Sequence, residues 1–232
     1  NFGTPFLNKA IGFNKIEGKK LLEIGCGIGL DGIQFARSNN DLHLIDLTIN
    51  SLKIALGRLN NEGYKAVASI ADSENLPYTD NSFDVVYSFG VLHHSKDTRK
   101  SIQEAYRVLK KGGTAIIMLY SKWSANLLFR YCLHFGLLKR KYFKYWNFSK
   151  FLSEESELQS KTGKISNPMT QVFSYREIKK LFYQFKNVNL EKHFINRYQM
   201  AEARIILRFM SDKQKASLHK YLGWNTIIKA QK

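Results

Sequence analysis

Residues 21–29, which read L-L-E-I-G-C-G-I-G, constrain the fold more than any other part of the sequence. An apolar run that ends in an acidic residue and closely spaced glycines is typical of a buried strand turning tightly into a helix. Glycine is needed where the backbone adopts a positive φ angle or approaches a ligand without an intervening Cβ atom. Such turns lie at the carboxyl edge of parallel sheets, where open α/β folds bind nucleotide-like cofactors. The sequence therefore predicts a cofactor-binding turn at this place.

Apolar runs that alternate with helical patterns follow this turn, and they predict an α/β fold with a doubly wound parallel sheet. The first five predicted strands are residues 20–24, 42–45, 67–70, 83–88 and 114–120. The predicted helices between them are residues 30–37, 48–60 and 97–109. Thr48 is the expected cap of the second helix, and Asp97 or Thr98 that of the third. We expect the glycine pair 112–113 to end the third helix.

The alternation stops after Tyr120, and this break sets the predicted domain organisation. Residues 1–120 are expected to form the cofactor-binding core, and residues 121–173 a helical, aromatic and basic lid insertion. Residues 174–232 would complete the core. There the patterns indicate a helix at about 175–185, a strand at 188–194, a helical insertion near 197–221 and a last strand at 224–229.

Two acidic residues at predicted strand ends narrow the choice of cofactor. A dinucleotide-binding turn reads G-x-G-x-x-G, and Leu30 stands where its third glycine belongs. Asp46 ends the second predicted strand, where a carboxylate can accept hydrogen bonds from ribose hydroxyls. Asp72 follows the third strand, one strand further along the same edge. A dehydrogenase has no general need for an acid there, so Asp72 favours a different adenosyl cofactor.

Four segments, together with Asp46, resemble class I S-adenosylmethionine-dependent methyltransferases. They are E-I-G-C-G-I-G, A-D-S-E-N-L-P, F-D-V-V-Y-S-F-G-V-L-H-H and E-A-Y-R-V-L-K-K-G-G-T-A-I-I. They are most similar to the methyltransferase type 11 group, which includes the ubiquinone/menaquinone-biosynthesis enzymes. The resemblance covers about residues 20–120. It implies a Rossmann-like sheet of seven strands in the order 3-2-1-4-5-7-6 with an antiparallel last strand. It also implies S-adenosyl-L-methionine as cofactor and S-adenosyl-L-homocysteine as product.

The resemblance assigns the methionine end of the cofactor to the glycine turn. Gly25 and Gly27, with Cys26 between them, would pass under the methionine part. Glu23 would shape the turn or meet the amino group through water. Phe89, just past the fourth predicted strand, would lie beside the methionine carbon chain.

The resemblance assigns the nucleoside end to the next two strand ends. Asp46 would hold the ribose, and Leu47 would lie against the adenine ring. Asp72 would accept a hydrogen bond from the adenine amine, and the amide of Ser73 would meet a ring nitrogen. Lys111 departs from the family, whose members often have proline before the two glycines, and this is a loop detail.

Two adjacent histidines follow the fourth predicted strand. An imidazole there could accept a proton from a hydroxyl or amine acceptor. We therefore name His94 and His93 as candidate catalytic bases and favour His94. The alternative is that the two histidines have a packing role or orient the cofactor. The histidines are otherwise dispersed and there is no C-x-x-C motif, so no metal site is predicted.

The positive charge of the chain is concentrated in its second half. Residues 1–120 hold 14 Lys/Arg and 12 Asp/Glu, whereas residues 121–232 hold 22 and 7. The positive electrostatic field of the second half would attract phosphates, anionic lipid or an acidic substrate. The plainer explanation of the many lysines is that they only keep the protein soluble. Residues 123–150 add nine aromatic and six basic side chains without an acid, which fits a core helix, a ligand-facing lid or a membrane-facing helix.

Three classes of acceptor remain open. A small or medium-sized, anionic metabolite fits a lid, and a lipid or an anionic membrane surface fits the aromatic and basic composition. We rank nucleic acid third, because the fourth strand is followed by S-F-G-V rather than N/D-P-P-Y/F. Cys132 also lacks the Pro-Cys context of cysteine-dependent base methylation. A regulatory protein that binds the cofactor without turnover is the alternative from another class.

The remaining composition indicates the compartment. The two cysteines, one of them in the glycine turn, argue against a structural disulfide and favour a reducing, cytoplasmic location. A location peripheral to the membrane is the alternative, because of the aromatic and basic composition of the second half. No apolar run approaches the ~18 residues of a membrane span. The chain begins at Asn1, and we expect a trimmed N-terminus and draw no inference about targeting. The oligomeric state is left open.

Overall fold

The computed structural model describes residues 6–128, 132, 148–156, 169–193, 209–211, 214, 217 and 220–232. The chain divides into two compact units. Unit 1 contains Asn1–Met118, Lys179–Asn189 and Ile228–Lys232. Unit 2 contains Leu119–Ile178 and Leu190–Ile227.

Fifteen helices and strands are described within these residues. The strands are β1 (Lys20–Ile24), β2 (Asp41–Asp46), β3 (Val67–Ile70), β4 (Phe83–Phe89), β5 (Leu109–Tyr120), β6 (Lys186–His193) and β7 (Asn225–Gln231). The α-helices are α1 (Phe6–Ile11), α2 (Leu30–Ala36), α3 (Ile49–Asn61), α4 (Thr98–Val108), α5 (Phe148–Ser156) and α6 (Tyr175–Leu181). The two short 3-10 helices are Phe13–Lys15 and Leu92–His94.

The seven strands form one sheet in the order β3-β2-β1-β4-β5-β7-β6. β1 pairs in parallel with β2 and β4, β2 with β3, and β4 with β5. β7 runs antiparallel to β5, because Gly112 N donates to Lys232 O whereas Ser121 N donates to Trp224 O. The predicted fold class, strand order and antiparallel last strand are confirmed.

The first four strands and their helices agree with the sequence patterns to within one or two residues at each end. Asp97 caps α4, since its side chain accepts a 3.1 Å hydrogen bond from Lys100 N. Thr48 precedes α3 as expected, but its side chain makes no capping hydrogen bond to the helix. Its hydroxyl bonds to Asp46 and Ser51 instead.

The prediction that the glycine pair ends α4 is wrong. The helix ends at Val108, and β5 begins at Leu109, whose backbone is already extended. Gly113 lies inside this strand, where an added Cβ would come within 2.9 Å of Lys110 O and 3.0 Å of Asp84 O. The glycine therefore permits close backbone packing beside β4, where the strand register shifts between Phe83 and Val85.

The core of unit 1 consists of apolar side chains on both faces of the parallel strands. Leu21, Leu22 and Val86 are completely buried. Phe35 of α2 packs edge-to-face against Tyr87 of β4, with ring centroids 4.9 Å apart. Burial on both faces explains why these strands read as continuous apolar runs in the sequence.

Unit 2 has a separate apolar cluster. It is formed by the buried side chains of Leu127, Phe151, Leu152 and Trp224. The indole of Trp224 stacks on Tyr120 with a centroid distance of 4.4 Å. Ser121 and Phe173, at the two ends of the predicted insertion, form an isolated parallel bridge.

Several expectations for the second half fall on residues outside the described ones. Of residues 123–150, only 123–128, 132 and 148–150 are described. Of the helical stretch expected at 197–221, Gln214, Ser217, Lys220 and Tyr221 are helical, and residues 197–208 lie outside the description. The helix expected at 175–185 ends at Leu181. The division of the chain at residues 120 and 173 stays a prediction.

None of the helices within the described residues has the length and apolarity required to cross a bilayer.

Candidate functional site

The glycine turn after β1 is held against the end of β2 by backbone hydrogen bonds. The amides of Gly25 and Cys26 both donate to Ile45 O, at 2.8 and 3.0 Å. Gly25 has a φ of 71°, which disfavours side chains other than hydrogen. A Cβ at Gly25 would also lie 2.3 Å from a methyl group of Val91. Glycine is therefore required at Gly25 for two reasons, the backbone conformation and the lack of room for a Cβ atom.

Gly27 presents a different environment. Its φ is 50°, but an added Cβ would meet no atom within 4 Å. The backbone at Gly27 is thus approachable from outside the protein. A turn with this opening fits a ligand that passes close over the backbone.

Asp46, at the carboxyl end of β2, stabilises this turn directly. Its Oδ2 accepts a 3.0 Å hydrogen bond from Gly27 N. Its Oδ1 accepts 2.9 Å bonds from both the amide and the hydroxyl of Thr48. A carboxylate has about four lone-pair sites, so Oδ2 retains capacity for a further donor such as a ribose hydroxyl. The next residue, Leu47, is 69% exposed and offers an apolar surface to a planar ring.

Asp72 and Ser73 follow β3. Asp72 is exposed, and its Oδ1 accepts a 2.9 Å bond from Glu74 N, which forms a tight turn. Oδ2 has no donor among the described residues, so it is available to one from a ligand. Ser73 is buried, and its hydroxyl lies 2.9 Å from that of Ser101 on α4. The turn therefore holds the Asp72 carboxylate in a defined orientation at the sheet edge.

Glu23 lies in the interior directly before the turn. It is buried, and its Oε2 has no hydrogen-bond partner among the described residues. Burial raises the pKa of Glu23 well above its usual value, and the nearby carboxylates Asp31 and Asp46 raise it further. A buried polar atom without a partner costs free energy unless a ligand or water satisfies it. This orphaned oxygen fits a site that receives a positively charged or hydrogen-bonding group.

Sequence reasoning missed a hydrogen bond beside Glu23. The hydroxyl of Tyr87 on β4 donates to Asp31 Oδ2 on α2 at 2.6 Å. Burial raises the pKa of Asp31, and the bond from Tyr87 opposes this rise. The signal available in the sequence was a tyrosine within an otherwise apolar buried strand, since its hydroxyl needs a partner.

The histidine pair lies on the 3-10 helix after β4. His93 is completely buried, and its pKa is well below the usual value, first because of burial and then because of His94. The Met118 backbone opposes this lowering of the His93 pKa. His94 is half-buried, and the two rings are 4.2 Å apart. Phe89, the last residue of β4, is half-buried as well.

Cys26 is buried within the turn, and its thiol is free. Burial raises the pKa of Cys26 to about 12, with a smaller contribution from Glu23. The thiol is thus protonated at neutral pH and is a poor nucleophile. Cys132 is also a free thiol. The described part of the chain contains no group of three or more side chains that could bind a metal ion.

Together these residues fit an adenosyl cofactor with a charged amino-acid end. The open backbone at Gly27, the unpartnered oxygen of Glu23 and the exposed Leu47 provide the surfaces that such a molecule needs. All of them lie in unit 1.

Comparison with known proteins finds a methyltransferase domain in this chain. Residues 22–117 match the family model described as a methyltransferase domain. Phosphoethanolamine N-methyltransferase 2 of Caenorhabditis elegans is 32% identical over 209 residues, which are 89% of this chain and 43% of that protein. A ubiquinone/menaquinone biosynthesis C-methyltransferase of Neisseria meningitidis is 36% identical over 110 residues, or 46% of this chain and 44% of that protein. The chain thus spans less than half the length of these relatives.

Solved structures agree on the fold. A SAM-dependent methyltransferase from Methanosarcina mazei superposes with a TM-score of 0.64 at 18% identity and covers 96% of both chains. Phosphoethanolamine N-methyltransferase 2 of Haemonchus contortus, in complex with phosphomonomethylethanolamine and S-adenosylhomocysteine, has a TM-score of 0.63 at 20% identity. That match covers 97% of this chain and 52% of the nematode chain.

The family uses S-adenosylmethionine as its cofactor, in agreement with the prediction from the glycine turn and the two acidic strand ends. Residues 22–117 thus match the methyltransferase domain family, and the fold is the α/β Rossmann-like fold of S-adenosylmethionine-dependent methyltransferases.

Proposed function

We propose that this chain transfers the methyl group of S-adenosylmethionine to the amine of a small anionic metabolite, with phosphoethanolamine as the first acceptor to test. One observation carries the choice of acceptor. The match to the C. elegans phosphoethanolamine enzyme extends over 209 residues, far beyond the family domain at 22–117. The matches to the rifamycin and quinone methyltransferases cover less than half of this chain.

The charge distribution supports an anionic acceptor. Residues 121–232 hold 22 Lys/Arg against 7 Asp/Glu. A strongly positive segment raises the local concentration of phosphate-bearing molecules and increases their association rate. The nearly balanced residues 1–120 have no such field.

For the cofactor, we assign binding roles to the residues of unit 1 described above. The methionine end is assigned to Gly25, Cys26, Gly27 and Phe89, with Glu23 directed toward the amino group. The nucleoside end is assigned to Asp46 at the ribose, Leu47 against the adenine ring, and Asp72 with the Ser73 amide at the ring edge. The open backbone, the orphaned oxygen and the available carboxylate oxygens support this assignment.

The chemistry required from the protein is limited. The bound cofactor supplies a sulfonium methyl group that is already activated for transfer. The residues of the chain must therefore bind both molecules, align the nucleophile and exclude water, which together can supply several kcal/mol of the rate enhancement. An alkylamine is protonated at neutral pH and must lose its proton before it can attack.

We assign the removal of this proton to His94. Its ring is half-buried, whereas His93 is completely buried. Burial lowers the pKa of His93, so His93 is neutral at physiological pH and adds no positive charge beside its neighbour. His93 therefore has a positioning role and His94 the role of base.

An acceptor assay tests the proposal. Release of S-adenosylhomocysteine should depend on phosphoethanolamine, and ethanolamine, which lacks the phosphate, should have a KM at least about tenfold higher. Cofactor binding measured by calorimetry without turnover on phosphoethanolamine, ethanolamine or a demethylated quinone would instead support the non-catalytic alternative. Turnover on the quinone alone would contradict the anionic acceptor.

Histidine variants test the base. His94→Ala should lower kcat by about 100-fold or more while the Kd for S-adenosylhomocysteine stays unchanged. The variant should also lose the acidic limb of the pH–rate profile. The control His43→Gln changes a half-buried histidine on β2 and should leave kcat unchanged. Full turnover in His94→Ala would exclude the assigned role.

A further inference from the structure

One lysine in unit 2 joins three separate segments of the chain. The ammonium group of Lys192 on β6 donates to Trp123 O at 2.6 Å and to Tyr221 O at 2.9 Å. The same group lies 5.2 Å from the ring centroid of Tyr175, the first residue of α6. We call Trp123, Tyr175, Tyr221 and Lys192 the Lys192 cluster. The lysine brings the backbone of Trp123 and Tyr221 and the ring of Tyr175, which are distant in sequence, to one place.

The aromatic rings of the Lys192 cluster face solvent. Trp123 is 59% exposed, Tyr175 40% and Tyr221 65%. Several exposed aromatic side chains on segments that meet at one lysine are unusual for a soluble surface and mark an interaction site. Tryptophan and tyrosine combine an apolar ring with one polar atom, and for this reason they concentrate at the boundary between lipid headgroups and hydrocarbon.

The charges around the Lys192 cluster are predominantly positive. Lys122, Arg176 and Lys220 are exposed and adjacent in sequence to its aromatic members. Two acids are also close. Glu177 lies 3.7 Å from Lys122, and the charge of Glu191 adds to burial in raising the pKa of Tyr175. The bases still exceed the acids, as they do over residues 121–232 taken as a whole. Basic side chains beside interfacial aromatics are attracted to anionic lipids.

We propose that the Lys192 cluster docks this chain on the surface of an anionic lipid bilayer, with the three rings at headgroup level. The chain would lie on the membrane without spanning it. The proposal concerns unit 2 alone and does not depend on the identity of the methyl acceptor.

Two features favour a bilayer over a nucleic acid, which also combines negative charge with stacking. Lys192 uses its donors on two backbone carbonyls, and burial lowers its pKa. This lysine therefore positions the aromatic residues and is a poor site for a phosphate. Unit 2 also exposes Leu128 and Phe209, whose side chains have no polar atom and are suited to hydrocarbon.

Vesicle sedimentation tests the proposal with the full chain. Phosphatidylcholine vesicles containing phosphatidylglycerol should bind the protein at low salt, and vesicles of phosphatidylcholine alone should bind it much more weakly. The double variant Trp123→Ala/Tyr221→Ala should reduce partitioning to the anionic vesicles by about tenfold. Alanine leaves the two carbonyls that Lys192 bonds, so the fold around the lysine is retained.

A matched control separates this surface from general exposure of aromatic residues. Tyr183 is 64% exposed but lies in unit 1, so Tyr183→Ala should partition as the unchanged protein does. Binding of S-adenosylhomocysteine by each variant verifies that it has folded. Partitioning that is equal in the double variant and the unchanged protein would overturn the proposal. So would the absence of vesicle binding, with or without ring-dependent binding of single-stranded RNA.

Discussion

The amide of Gly27 and the carboxylate of Asp46 are joined by a 3.0 Å hydrogen bond between the turn after β1 and the end of β2. The bond connects two motifs that are separate in the sequence. It places the one unhindered glycine of the turn beside the carboxylate assigned to the ribose. Asp46 therefore acts on cofactor binding in two ways, through the shape of the turn and through its remaining acceptor capacity.

Asp46→Asn should weaken S-adenosylmethionine binding by about 10- to 100-fold. The amide has one acceptor oxygen where the carboxylate has two, and hydrogen bonds to a charged group contribute about 1.5–3 kcal/mol. Isothermal titration calorimetry measures the Kd. Asp41→Asn, at the exposed start of the same strand, is the control and should bind normally. Equal affinities of the two variants would exclude this role for Asp46.

Alanine substitutions at the glycines should separate backbone strain from loss of ligand space. Gly27→Ala and Gly18→Ala each place a Cβ in open space at a positive φ, so each should lose about 1–2 kcal/mol of stability. Only Gly27→Ala should also lose cofactor affinity, because its Cβ occupies the space assigned to the cofactor. Urea denaturation and calorimetry measure the two quantities. Normal affinity in Gly27→Ala would contradict the site.

Gly25→Ala should be more damaging than either of these. Its Cβ would lie 2.3 Å from a methyl group of Val91, in addition to the strain at a φ of 71°. We expect a loss of about 3 kcal/mol or more in the free energy of unfolding. A partner substitution, Val91→Ala, removes the clashing methyl groups and should recover part of this loss in the double variant.

Glu23→Gln should stabilise the apoprotein, and its gain in stability over the unchanged protein should grow as the pH rises. Burial holds the pKa of Glu23 well above its usual value. The folded state therefore retains the proton longer than the unfolded state, and stability is lost as the pH rises through this raised pKa. Glutamine does not ionise, so the difference in Tm between variant and unchanged protein should grow with pH.

The same substitution should cost affinity for the cofactor. If the Glu23 carboxylate meets the cofactor amino group, Glu23→Gln should weaken S-adenosylmethionine binding by about tenfold even though it stabilises the apoprotein. A gain in stability without any change in Kd would assign Glu23 to the shape of the turn alone.

Asn126→Leu should stabilise the protein. Asn126 is buried in unit 2, and neither Nδ2 nor Oδ1 has a hydrogen-bond partner among the described residues. Leucine has a similar size and no polar atoms to desolvate, so we expect a gain of about 1–2 kcal/mol by urea denaturation. Asn60→Leu, exposed on α3, should change stability by less than about 0.5 kcal/mol. A destabilised Asn126→Leu would show that the amide is satisfied in solution.

Local sequence was sufficient wherever a structural feature depends on neighbouring residues. The glycine turn, the acids at the ends of β2 and β3, and the alternation of strands with helices all follow from short-range patterns and are found in the structure. The start of β5 could not be read in this way. Glycines usually end helices, but here Gly113 packs against the backbone of Asp84, which is a distant partner in the sheet.

The sequence by itself was sufficient to indicate a methyltransferase domain and its cofactor, because these are recognised from motifs whose residues lie close together along the chain. The strand order followed from that resemblance and not from any local pattern. Only the tertiary structure showed that Glu23 is buried with an unpartnered oxygen and that Tyr87 donates to Asp31. Only the tertiary structure brought Trp123 and Tyr221 together at Lys192. Burial and long-range hydrogen bonds arise from residues that are far apart in sequence, and no local pattern specifies which of them meet.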